Sequence, residues 1–132
     1  MDKHLLKQFR RILREIDHLE AEKKRIIDQY LAPPVITGMP SSHGDPDRIG
    51  NLVARRGEYQ DMIDAKIDEL INLRLDIEDA ISGLPSCDRE LIRLRYIEGW
   101  SWERISVELH YTYHHVLKKH GWILAKMKGE NN

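Results

Sequence analysis

Between residues 110 and 128 the chain sets His110, His114, His115 and His120 among Lys118, Lys119, Lys126 and Lys128, with no acid in the segment. Positive side chains gathered in this way attract phosphate. Metal binding is the other chemistry to weigh, because histidines four apart share a helix face. His110 precedes the expected helix, and no Glu or Cys completes a ligand set, so no metal is expected. Elsewhere the sign is opposite. Residues 1–84 hold 13 Lys/Arg against 16 Asp/Glu, and residues 85–132 hold 8 against 6, a contrast that the net charge of −1 conceals.

Other reactive residue types lead nowhere by spacing. Asp61, Asp64, Asp68 and Glu69 read as a solvated helix face rather than a Mg²⁺ site. Cys87 is the single cysteine; it sits at a helix start with no histidine near it in sequence. Trp100, Trp102 and Trp122 suit core or interface anchoring. The Thr37–Gly44 segment has no lysine of the phosphate-loop type. No catalytic constellation emerges, so the expectation is a protein that is not an enzyme and needs no cofactor.

The elements that must carry the basic segment follow from periodicity. Leu5, Phe9, Ile12, Ile16, Leu19, Ile26 and Tyr30 step by fours and threes over a helix expected at 3–31, and Leu6, Leu13 and Ile27 widen the stripe. Pro33-Pro34 ends it. A loop at about 32–46 with four prolines and two glycines reverses the chain. Asp45 or Asp47 can cap the next helix, expected at 47–82, with its seam at Ile49, Val53, Ile63, Ile67, Leu70, Ile77, Ile81 and Leu84. Two such seams predict a long antiparallel, coiled-coil-like helical hairpin over 1–84, serving as an oligomerisation or partner-binding unit.

Gly83-Leu84-Pro85 closes that hairpin. Short helices are then expected at 87–97, 102–109 and 113–128, capped by Ser86, Ser101 and Thr112 and separated at Gly99 and His110-Tyr111. The fold class is thus all-α, ending in a small three-helix domain at 85–132 of helix-turn-helix type. Its core is read as Leu91, Leu94, Tyr96, Trp102, Ile105, Leu109, Val116, Ile123 or Leu124, and Met127. The exposed start of the last helix would show Tyr113, His114, His115, Lys118 and Lys119. Such a helix fits the major groove, while Ser101 and Thr112 mark helix starts suited to phosphate. The candidate DNA-contacting set is therefore Ser101, Thr112, Tyr113, His114, His115, Lys118 and Lys119.

Leu84-Pro85, Arg89, Leu91, Leu94-Arg95-Tyr96-Ile97-Glu98-Gly99, Ser101-Trp102-Glu103, Ile105, Leu109 and Val116 resemble region four of bacterial sigma factors. Most of the chain is similar to phage and prophage regulators of the ArpU and RinA type. The matching features are Thr37-Gly38-Met39-Pro40, Arg95-Tyr96-Ile97, Trp102-Glu103-Arg104-Ile105 and His120-Gly121. The resemblance implies promoter-proximal transcription control, double-stranded DNA as partner, and RNA polymerase as a further one. Tyr113, His114, His115 and Lys118 fall where the sigma module touches bases and phosphates. Two departures stand out: His110 replaces the usual turn glycine, and Tyr and His replace Arg and Glu at the reading positions.

The rival expectation is a phage assembly or DNA-packaging protein, similar to a small terminase subunit, using the hairpin to oligomerise. Those proteins usually place the DNA-binding motif first, the reverse of the order here. A homodimer through the N-terminal helices is expected. No apolar run spans a bilayer and the N-terminus lacks a signal-peptide pattern, so no membrane partner is expected and the expected compartment is the bacterial host cytoplasm, at the nucleoid.

Overall fold

A computed structural model describes residues 3–31 and 46–129. The Thr37-Gly38-Met39-Pro40 motif, the expected loop and Asp45 lie outside the described residues. The fold is all-α. Helix α1 spans Lys3–Leu31 and α2 spans Pro46–Ile81. Helix α3, Ser86–Ile92, runs on into a π-helical turn at Arg93–Ile97. Helix α4 spans Trp102–Leu109 and α5 spans Tyr113–Gly129. No strand occurs among the described residues.

The chain forms two compact units. One comprises residues 14–68. Within it, Glu15 pairs with Lys66 at 2.8 Å, Lys23 Nζ donates to Gln60 Oε1 at 2.8 Å, and Arg48 lies over the Tyr30 ring. Partner numbers fall along α2 as they rise along α1, so the two segments run in opposite senses.

The inward face of α2 differs from the expected seam. Ile63, Leu73, Ile77 and Ile81 are buried, and Leu52, Tyr59 and Leu70 are partly covered. Ile49, Val53 and Ile67 are exposed instead, as is Leu5 on α1, whose place is taken by the fully buried Leu6. The cause is that α2 carries two apolar stripes roughly a quarter-turn apart at 100° per residue. The expected seam crossed from one to the other.

The second unit joins residues 1–13 to residues 69–132. Its boundary therefore cuts through α1 and α2 instead of falling at residue 85. Leu6, Phe9, Ile77, Ile81 and Leu84 are buried, as are Leu91, Ile92, Tyr96, Ile97, Ile105, Val116, Ile123 and Met127. Leu94, Trp102, Leu109 and Leu124 are only partly covered. Polar contacts fasten the same unit. Arg93 grips Glu78 in a bidentate pair at 2.6–3.2 Å, which holds the Glu78 carboxyl below the usual carboxylate range. Arg10 donates to the Ile97 carbonyl at 3.1 Å.

Helix α3 starts without a side-chain cap: Pro85, not Ser86, occupies the N-cap position, and its carbonyl accepts from Arg89 N at 3.0 Å. Arg89 also donates from its guanidinium to the Leu84 carbonyl. The π turn ends with Glu98 N bonded to Arg93 O and Trp100 N to Leu94 O, both at 2.9 Å. Gly99 then takes φ +73 and faces the Arg10 guanidinium, whose Cζ would lie 2.7 Å from an added Cβ. Gly99→Ala should therefore cost about 1–2 kcal/mol from the left-handed backbone, and more where Arg10 is forced off Ile97. Chemical denaturation of the two proteins measures this.

Candidate nucleic-acid interface

The α4–α5 region is built from three local devices. Ser101 has extended backbone angles, and its Oγ accepts from Arg104 N at 3.2 Å, starting α4. Ser106, 9 % exposed, is small enough for a close helix crossing, and its hydroxyl donates to Glu103 O. Helix α4 ends at His110, which adopts the left-handed region at φ 60, ψ 36. Tyr111 N reaches back to Ser106 O at 3.0 Å, closing a helix-terminating turn of the kind that usually employs glycine. Thr112 Oγ1 then accepts from His115 N at 3.1 Å and starts α5.

The hydroxyls of Ser101 and Thr112 are thus committed to backbone donors. The exposed face at the start of α5 consists of Tyr113, His114 and Lys118. The rings of Tyr113 and His114 meet edge to face at 5.7 Å. Lys118 has no ion pair among the described residues. His115 is half-buried and packs edge-on between Tyr111 and Trp122.

Lys119 is placed differently from Lys118. It is partly buried, its Nζ is 3.1 Å from Asp88 Oδ1, and it lies over the Tyr111 ring. The Asp88 bond raises the lysine pKa above its ordinary value. The Tyr111 hydroxyl in turn contacts Cys87 Sγ at 3.2 Å, and that contact pushes the phenol pKa up. Lys119 and Cys87 therefore tie α5 and the His110–Tyr111 turn to the start of α3.

His120 leaves the basic surface altogether. It is 7 % exposed. Its Nε2 hydrogen-bonds the Tyr96 hydroxyl at 2.5 Å, and its ring lies 4.6 Å from Trp102. Spacing held the signal for this: Val116, His120, Ile123 and Met127 step by four, three and four, the period of an inward face. Arg95 caps the cluster, with its guanidinium over Trp102 and a bond to the Trp100 carbonyl. Arg104 lies over Trp100 at 3.6 Å. No metal-ligating group of three or more His, Cys, Asp or Glu occurs among the described residues.

No protein-family model, curated protein or solved structure matches this chain.

Burial, with the positive charges of Lys3 and Arg95, lowers the His120 pKa to about 4 from 6.5. The folded state thus binds its proton more weakly than the unfolded chain. Stability is fully present above pH 6.5 and falls as pH drops towards 4, by up to about 3 kcal/mol from this group. His120→Gln retains a partner for the Tyr96 hydroxyl and cannot titrate. Its unfolding free energy should therefore vary less over that window than the wild type's, as measured by denaturant titration.

Proposed function

We propose that this chain is a sequence-specific, double-stranded-DNA-binding transcription regulator of phage or prophage type. In this reading α4 and α5 are the two helices of a helix-turn-helix. The observation that carries it is the pair of capped helices joined through left-handed His110, which leaves Tyr113, His114 and Lys118 exposed on the first turns of α5. An α-helix fits the major groove and reads base edges with its N-terminal side chains. Tyr113 and His114 are the base-facing pair, and Lys118 supplies phosphate attraction. Ser101 and Thr112 shape the helix starts, where backbone N–H groups face phosphate. The resemblance to sigma region four adds RNA polymerase as a partner at the promoter.

The two lysines separate under this reading. Lys118→Ala should flatten the dependence of log affinity on log salt by about one unit, as expected for one lost phosphate contact. Lys119→Ala should leave that slope nearly unchanged and lower the thermal midpoint, because Asp88 already neutralises the ammonium. Binding to promoter-containing fragments across a salt series, with and without RNA polymerase, tests both. Equal slopes for the wild type and Lys118→Ala would remove α5 from the interface.

A second copy of the chain is the partner we assign to the N-terminal helices. Support comes from the outer stripe of α2, where Ile71 and Leu75 are 51 % and 62 % exposed. Ile71→Asp with Leu75→Asp should turn a dimer into a folded monomer in sedimentation, since neither side chain is buried within its own chain. A wild type that sediments as a monomer at tens of micromolar contradicts the assignment.

A further inference from the structure

A second concentration of positive charge lies far from α5 in sequence. Residues 3–13 contain Lys3, Lys7, Arg10 and Arg11 and no acid. At 100° per residue Lys3, His4, Lys7 and Arg11 share one face of α1, and all four are exposed. Leu6, Phe9 and Ile12 occupy the opposite side and are buried. Lys3, Lys7 and Arg11 form no ion pair among the described residues. Like charges four apart destabilise a helix, and Lys7 stands four residues from both Lys3 and Arg11.

The stripe belongs to the same compact unit as α4 and α5. Arg10, on the neighbouring face, reaches the Ile97 carbonyl and lies against Gly99, just ahead of the α4 cap. The charge of Lys3 is felt by His120 on α5. The first turns of α1 are therefore fastened to the break between the π turn and α4, although more than 80 residues separate Arg10 from Ile97 in sequence.

We infer that Lys3, Lys7 and Arg11 form a second phosphate-binding strip, which holds DNA backbone flanking the segment that α5 reads. This rests on the DNA-binding reading above. The chemistry of the face favours DNA over an acidic protein. Protein interfaces depend on buried aromatic or apolar anchors, and this face offers none. Phosphate attraction needs only unpaired cations, here repeated at about 6 Å of helix rise.

The test uses the full chain and a mixed-sequence duplex of about three helical turns, read by fluorescence anisotropy over a salt series. The double variant Lys7→Ala, Arg11→Ala should lower the salt slope by about two units, against about one for Lys118→Ala. Its thermal midpoint should equal or exceed the wild type's, because like-charge repulsion is relieved. The charge-conserving variant Lys7→Arg, Arg11→Lys should retain the wild-type slope, which a merely structural role would not require. A double variant with wild-type slope beside a flattened Lys118→Ala overturns the strip and leaves the α5 reading standing. A flattened double variant beside an unchanged Lys118→Ala supports the strip and displaces α5. Wild-type protein with no salt-dependent binding overturns both. An unchanged DNA slope with weakened binding to RNA polymerase overturns the DNA assignment in favour of an acidic protein surface.

Discussion

The C-terminal helices depend on carbonyl oxygens that no helix can satisfy for itself. Short helices leave their last carbonyls without intrahelical donors, and three of them follow one another here within 45 residues. Arginine supplies donors at the breaks: Arg89 to Leu84 O and Arg95 to Trp100 O, just ahead of α3 and α4, and Arg10 to Ile97 O at the end of the π turn. Charge-assisted bonds of this kind contribute about 1.5–3 kcal/mol each when shielded from water. The breaks between helices are thereby as firmly specified as the helices. Much of the positive charge counted in the sequence is consumed inside the fold, as with Arg93 on Glu78 and Lys119 on Asp88. The positions of the cations left outside these contacts, not the total, set where positive charge faces outward.

The helix boundaries were legible because local signals agree with the global pattern. Proline and glycine punctuate the chain, and Ser101 and Thr112 announce helix starts that their hydroxyls then cap. The left-handed turn at His110 sits where helix-ending turns usually employ glycine, and its φ of 60 is one that histidine tolerates better than most residues. Where local signals were degenerate, the reading failed. Helix α2 has two apolar stripes, and periodicity alone does not say which one faces inward. The burial of Ile97 goes with the π turn, which adds one residue to the helical register after α3 and has no signature in composition.

Of the side chains expected to be exposed at the start of α5, spacing distinguished some and not others. Tyr113, His114 and Lys118 are exposed as their spacing implies. Lys119 is adjacent in sequence, but 100° of helix rotation carries it towards Asp88 and Tyr111. His120 follows another 100° inward and becomes a neutral core residue against Tyr96 and Trp102. Three consecutive basic residue types thus have three environments. Charge counted along the chain cannot distinguish them; helical angle can.

The division of the chain into compact units bears on how such a protein could be reshuffled in evolution. A module whose helices lie wholly at one end can be cut out and fused elsewhere as a cassette. Here the unit holding α3, α4 and α5 also recruits the first 13 residues and the end of α2. A splice at residue 85 would strip away Leu6, Phe9, Ile77 and Ile81 and leave the Ile97 carbonyl without its arginine. Residues 1–13 and 69–129 are therefore bound to travel together, and recombination that preserves this unit is steered away from residue 85.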